Sequence, residues 1–285
     1  LSKKLTDDPI KTAMLVVGAF GSCLVLIGLC WDFLSNNILP NTIIGIYKQS
    51  FWENLVISLH GVLIDLVLVA ILILWLDHRR NKRALNQQFK EDLEDYALLD
   101  FDEVNLKKLG HLKRLNLNGI ESVNVQNLVL NRMHAKGLTF SNCKMIGLKL
   151  ANGKIEGSNF TSVNMRSCNF EGTELKSAKF NSCILLRTKF ISAKLKGISL
   201  EQCNLVRCDF SGANMQSTIL RESNVQGAKF AQANLKRANF MGVKNLDVVE
   251  LATAKNLDYI QVDECVLGEL KVLRPDMNFQ GKGRP

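Results

Sequence analysis

The sequence predicts an all-β solenoid preceded by an α-helical two-span transmembrane hairpin. Three observations carry this reading. From Leu115 to Phe240 every fifth residue is large and apolar, with Ala135 the one exception. The residue two positions before each of them is small over most of that stretch. Two long apolar blocks precede the register, both ending before residue 77. A period of five suits neither a helix nor a strand, and self-similarity at a fixed period marks a solenoid.

The first apolar block, Thr12–Trp31, carries no charge, and the second, Ile57–Leu76, is equally long but contains His60 and Asp65. About 20 apolar residues cross a bilayer core as a helix. Lys3, Lys4 and Lys11 precede the first block, Arg79, Arg80, Lys82 and Arg83 follow the second, and the segment between them, Asp32–Glu53, has only Lys48. Positive charge on the cytoplasmic side then places both termini and the solenoid in the cytoplasm, with a short loop outside. The expected location is a bacterial inner (cytoplasmic) membrane, in multi-pass topology. A cleaved signal peptide fits poorly, because the first run is long and no small-x-small site closes it. Gly21-Ser22-Cys23 echoes a lipoprotein site, but the apolar run continues past it. The first residue is Leu, so the natural chain is expected to begin earlier.

His60 and Asp65 are the membrane polar candidates. Five residues separate them, about 140° around a helix, so they do not pair within one helix. An ionisable group at that depth faces protein or water. It serves either as the lining of a conduction path in a homo-oligomer or as a polar contact between helices. Gly18 and Ser22 form a small-xxx-small pair suited to close helix packing.

Residues 1–83 thus form the hairpin, with spans about 12–31 and 57–76. Residues 84–110 are a helical connector, in which Leu85, Phe89, Leu93, Tyr96 and Leu99 recur at helical spacing and suit either a short coiled coil or, preferably, a face packed on the first coil. Residues 111–245 are the repeat solenoid, and 246–285 a C-terminal cap and tail. Two side chains in five point inward, one large and one small, because a narrow core has no room for two large ones. Five cysteines (Cys143, Cys168, Cys183, Cys203, Cys208) share the small position, which reads as core filling in a reducing compartment. Gly or Ser recurs two residues after the large one, at Gly157, Ser162, Ser167, Gly172, Ser177 and Ser182, where the chain must turn. No proline occurs between Pro40 and Pro275, so every backbone N–H there can bond a neighbouring coil. Ala135 marks a bulge or an imperfect first coil. After Phe240 the phase is lost, and residues 248–254 read as a short capping helix ahead of a tail at Gln280–Pro285.

Ser-Gly-Ala-Asn-Met at 211–215 and Ala-Gln-Ala-Asn-Leu-Lys-Arg-Ala-Asn-Phe at 231–240 resemble the pentapeptide-repeat family, whose consensus is A-(D/N)-L-x-x. The resemblance extends over roughly residues 113–245. It implies a right-handed quadrilateral β-helix with four repeats to a coil, about six and a half coils in all. Some members of the family resemble duplex DNA and inhibit DNA gyrase by presenting an acidic surface.

Charge argues against that activity here. From His111 to Asn245 there are 20 Lys and Arg against seven Asp and Glu, whereas residues 84–103 hold seven acids and one Lys. With four repeats per coil, residues 20 apart stack. Lys136, Lys176, Lys196 and Lys236 then share a column with Glu156 and Gln216, beside Lys154, Glu174 and Lys194, and Arg237 lies alongside. This basic stripe suits a protein partner or the anionic lipid of an inner leaflet. Nucleic acid is argued against, since the repeat region has no Tyr or Trp on which bases could stack. A second column, at 149, 169, 189, 209 and 229, reads Lys, Asn, Lys, Asp, Lys.

No phosphate-binding loop, dinucleotide fingerprint, zincin motif or nucleophile elbow is present, and the four His residues are scattered at 60, 78, 111 and 134. Cys203 and Cys208 supply two soft ligands without a second pair. No enzyme activity, cofactor or metal is expected. The leading reading is a membrane-anchored cytoplasmic scaffold that presents a basic solenoid surface. The alternative is an oligomeric membrane effector or small ion-conducting protein whose solenoid senses or assembles.

Overall fold

The computed structural model describes residues 9–38 and 48–279. Lys3, Lys4, most of the predicted external loop and the tail Gln280–Pro285 lie outside the described residues. The chain divides into two units, Leu1–Leu85 and Asn86–Pro285.

In the first unit the two apolar blocks become helices of unequal kind. α1 runs over Pro9–Leu29, α2 over Trp31–Asn37 and α3 over Gln49–Asp95. Among the described residues only α3 is long and apolar enough by itself to cross a membrane, and none of its apolar window is buried. The predicted hairpin of two spans is seen only in part: α3 is one such helix, and the first block makes a second only if its bent pair of helices is taken as one span. The first block is bent by 66° between Val17–Leu29 and Trp31–Asn37. The cause is local: Cys30 leaves helical backbone geometry at φ −94°, ψ 13°, and Gly28 just before it has low helix propensity. Trp31, expected to end a span, instead begins α2. Close packing also falls elsewhere than expected. A side chain at Gly18 would meet nothing, and Ser22 donates to the Gly18 carbonyl at 2.8 Å within its own helix. Gly21 and Gly28 are the close approaches, with a β-carbon at Gly21 falling 3.2 Å from Leu63 Cδ1 and one at Gly28 falling 3.5 Å from His60 Nε2.

The second unit is the solenoid. Its short strands β1 (His134–Lys136), β2 (Thr139–Ser141), β3 (Lys154–Glu156), β4 (Asn159–Thr161), β5 (Glu174–Lys176) and β6 (Lys179–Asn181) form two parallel sheets, ordered β1-β3-β5 and β2-β4-β6. Each strand pairs with the residue 20 positions on, as in His134↔Lys154 and Phe140↔Phe160, and single parallel bridges carry this register to Lys244. A coil therefore holds four five-residue units. The large residues from Val125 to Phe240 are buried.

Each remaining position of the unit has its own physical task. Two residues after the large one, from Asn127 to Gly242, φ lies between +48° and +72°. That left-handed geometry is why Gly and Ser recur there. The strain is offset by coil-to-coil bonds, such as Ser167 N–H to the Leu186 carbonyl at 2.9 Å. One residue before the large one, Asn or Asp accepts from the N–H two residues on, as Asn169 does from Glu171 and Asn214 from Gln216. The Asn/Asp position is thus an Asx turn that satisfies an otherwise orphaned donor. Hydroxyls and thiols at the small position donate to a carbonyl 23 residues earlier. Thr218 Oγ1 to Leu195 O is 2.7 Å, Ser223 Oγ to Leu200 O is 2.6 Å, and Cys208 Sγ to Leu185 O is 3.0 Å.

Ala135 forms no bulge: it pairs in register with Ile155 and is buried. The volume missing at Ala135 is made up by Leu138, buried at a position usually small, and by Met133, which packs against the core. Leu115, the first member of the five-residue register, lies in helix α4 (Asp102–Leu117) rather than in a coil. At the other end the coil does not stop at Phe240. Asn234 bridges Asn256 and Asn239 bridges Gln261, an offset of 22, with the additional residues taken up by the short helix α5 (Val248–Ala252). Asp247 caps α5, accepting from the N–H groups of Val249 and Glu250.

Both open ends of the stack are covered. At the N-terminal end Phe89 and Leu93 from α3 and Leu109, Leu112 and Leu115 from α4 join the core, the packing preferred over a coiled coil, while Leu85 and Leu99 remain exposed. Val129 N–H reaches the Ala97 carbonyl at 2.8 Å, and Thr139 N–H reaches Asn116 Oδ1 at 2.6 Å. At the C-terminal end α6 (Glu264–Leu273) buries Leu270, and Arg274 Nη1 donates to the carbonyls of Ala252 and Ala254 at 2.8 and 2.6 Å. Asp276 holds that guanidinium through Nε and Nη2 at 2.9 and 3.0 Å. Caps of this kind keep unpaired strand edges from adding another chain.

Candidate functional site

A solenoid displays function on its outward columns, because its interior is filled. Inside, Phe170, Phe190 and Phe210 stack with ring centroids 5.3 and 5.1 Å apart, and Phe160 lies 4.6 Å from Phe180. The coil rise of about 5 Å matches the stacking distance of aromatic rings, so one residue per coil builds a continuous ladder. The buried thiols belong to this interior. Burial pushes Cys168 up to about 12 and Cys208 higher still, so both stay protonated at neutral pH. Cys203 and Cys208 donate to the Phe180 and Leu185 carbonyls at 3.2 and 3.0 Å. Among the described residues no three His, Cys, Asp or Glu side chains are grouped to hold a metal.

The structure brings part of the predicted basic stripe onto neighbouring coils. Register places Lys136, Glu156 and Lys176 side by side, and Lys154, Glu174 and Lys194 in the adjoining column. The acids change its character. Lys154 Nζ lies 3.5 Å from Glu156 and 3.4 Å from Glu174, Lys176 Nζ lies 3.8 Å from Glu156, and His134 Nε2 is 3.2 Å from Glu156. The N-terminal half of the stripe is therefore a ladder of alternating charge. Lys194 and Lys196, one coil further on, are exposed and make no ion pair among the described residues. Lys236 and Arg237 lie over the Tyr259 ring, at 6.0 and 5.7 Å from its centroid. Free positive charge on this face therefore stands at Lys194 and Lys196, at Lys136, which is exposed and makes no ion pair among the described residues, and at Lys236 and Arg237, which a neutral ring leaves charged.

His60 and Asp65 are not brought together. His60 Nδ1 lies 2.7 Å from the Val56 carbonyl of its own helix, while the Asp65 side chain is exposed and makes no hydrogen bond or ion pair among the described residues.

A second cluster escapes a reading by residue type. Ile184, Leu186 and Val206 occupy outward positions that neighbouring coils give to Asn, Arg and Gln, and Arg187 and Arg207 stand at the adjoining corner. The signal was present in the five-residue register as apolar residues at an outward phase. It was masked because isolated surface aliphatics are ordinary until the fold stacks them.

Residues 143–181, 183–221 and 218–244 match the family model described as pentapeptide repeats, in eight copies. Three solved structures illustrate the likeness. A pentapeptide repeat protein from the Arabidopsis thaliana thylakoid lumen is 21% identical, with 45% of this chain and 81% of that chain covered and a TM-score of 0.31. QnrB1, a plasmid-mediated fluoroquinolone resistance protein, is 14% identical over 55% of this chain and 97% of its own, with a TM-score of 0.29. HetL, a pentapeptide repeat protein involved in heterocyst differentiation regulation from a cyanobacterial Nostoc, is 19% identical over 53% and 82%, with a TM-score of 0.19. No curated relative matches the chain.

Proposed function

From the premise that this chain is a pentapeptide-repeat protein, we propose that it is a scaffold, a binding platform held at a membrane by α3, and that its charged outer faces receive a protein partner. The observation that carries this reading is the composition of one uninterrupted helix. α3 bears the exposed apolar window and, nearer its C-terminus, Phe89 and Leu93, which are buried in the solenoid core. Trp75 and Arg79 mark the end of that window, with the guanidinium carbon 5.3 Å from the ring centroid. An aromatic ring followed by a basic run at 79–83 suits a membrane–water boundary. The solenoid contributes recognition rather than catalysis, because its polar groups are spread along columns instead of converging on a cleft.

Alkaline carbonate washing of membranes that contain the full chain tests the attachment. The protein is expected to stay in the pellet and to move to the supernatant when Leu68→Arg and Ile71→Arg interrupt the window. Release of the unaltered chain by carbonate would sink the membrane reading. Affinity capture of the same preparation reads out the partner, whose binding is expected to weaken in the Lys194→Glu, Lys196→Glu double variant.

A further inference from the structure

Arginine stands at four left-handed corners of the solenoid: Arg132, Arg187, Arg207 and Arg237, with φ of 62°, 59°, 57° and 59°. A β-carbon is disfavoured at such a φ, and the other corners between Asn127 and Gly242 carry Gly, Ser, Asn, Gln or Glu. Two of the four arginines have an intramolecular reason to be there. Arg132 grips Asp102 at 2.9 and 3.1 Å, and Arg237 lies over Tyr259. The guanidinium groups of Arg187 and Arg207 make no hydrogen bond, ion pair or ring contact among the described residues.

These two are also neighbours. Arg187 N–H donates to the Val206 carbonyl at 2.9 Å, and Arg207 N–H donates to the Gln226 carbonyl at 2.8 Å, which sets the two corners one coil apart. Successive coils therefore carry two like charges at the surface, with no acid paired to either among the described residues. Arg166 is exposed in the column that continues through Leu186 and Val206, and Lys189 is exposed on the next face. Asp209 is the nearby acid, and its Oδ1 accepts from the Ser211 N–H at 3.0 Å. Beside the arginines the surface is aliphatic: Ile184, Leu186 and Val206 are half-buried and point outward.

The geometry points to a docking site for an acidic, aliphatic segment of a partner protein. Its carboxylates pair with Arg187 and Arg207, and its apolar side chains rest on Ile184, Leu186 and Val206. Carboxylates on alternate residues of an extended strand lie about 7 Å apart on one side, within reach of two guanidiniums a coil apart. The aliphatic surface separates this ligand from a polyanion. Leu, Ile and Val offer nothing to a phosphate backbone and no ring on which a base could stack. The proposal rests on the solenoid being a binding platform and names one of its surfaces.

The test uses the full chain in nanodiscs of zwitterionic lipid, screened against random dodecapeptides displayed on phage. Enriched peptides are expected to carry at least two acids interleaved with Leu, Ile or Val. Their affinity is expected to fall about tenfold in Arg187→Ser, Arg207→Ser, and by a similar factor in Leu186→Ser, Val206→Ser. Serine already occupies corners 167, 182, 192 and 217, so the first variant retains the fold, and its melting midpoint is expected to hold or rise. A lower midpoint would make the arginines structural and overturn the proposal. So would a screen that enriches no peptide, or peptides whose binding ignores the arginine change. Binding of a short DNA duplex or of phosphatidylglycerol vesicles that depends on the arginines, while peptide binding does not, would also overturn it. A partner whose binding persists in the arginine variant defeats this site alone, whereas carbonate release defeats the membrane attachment alone.

Discussion

Phe190 shows how a single side chain is used in this molecule. It is fully buried between Phe170 and Phe210, so truncation removes two ring stacks and leaves a cavity that neighbouring coils cannot close. Phe190→Ala is expected to cost about 3–5 kcal/mol in urea denaturation. Thr218→Val, which loses only the 2.7 Å bond to Leu195 O, is expected to cost about 1 kcal/mol. Equal losses in the two variants would refute the division between large and small positions. That division was legible in the register of large and small residues. The thiol and hydroxyl donation was not, because the acceptor carbonyl lies 23 residues back and nothing local in sequence names it.

At the scale of elements, the N-terminal cap contains an unusual group. Lys108 is fully buried on α4, and its Nζ donates to Leu99 O at 2.7 Å and Ala97 O at 3.3 Å. Burial lowers it from 10.5 to about 8, with Asp100 opposing. The folded state then releases this proton near pH 8, whereas the unfolded chain holds it to about pH 10.5. The unfolded state binds more protons in that window, so the contribution of Lys108 to stability rises as pH increases from 8 to 10. The difference in urea midpoint between the unaltered protein and Lys108→Met is expected to grow over this range. A constant difference would show that Lys108 stays charged. Sequence periodicity indicated a helical connector but not this lysine, since Lys on a helix ordinarily reads as solvent-facing. The α1–α2 bend was equally illegible: its apolar composition fits a straight span, and the break depends on the backbone at Cys30.

Across the whole molecule, a stack in which each coil touches only its neighbours distributes stability in one dimension. Amide hydrogen exchange is expected to be slowest in the middle coils, near residues 165–215, and faster toward both ends. Arg274→Ala removes the group that occupies the Ala252 and Ala254 carbonyls. It is expected to speed exchange over residues 250–262 and leave the middle coils unchanged. Uniform acceleration along the chain would show that the stack unfolds as one unit. The same linear architecture explains why the basic stripe was only half legible. Columns follow from the repeat once the resemblance supplies four units to a coil, but which charges remain free depends on side-chain reach, and Glu156 and Glu174 take up neighbouring lysines.

By itself the sequence determined the solenoid, the inward residues and the turning corners, because a five-residue unit repeats the same local demands on volume and backbone at every turn. Tertiary structure alone decided where the register begins and ends, since Leu115 falls on a helix and the coil resumes beyond Phe240 with an offset of 22. It also decided which outward residues become a surface. Ile184, Leu186, Val206, Arg187 and Arg207 are scattered in the chain until coils about 5 Å apart set them side by side.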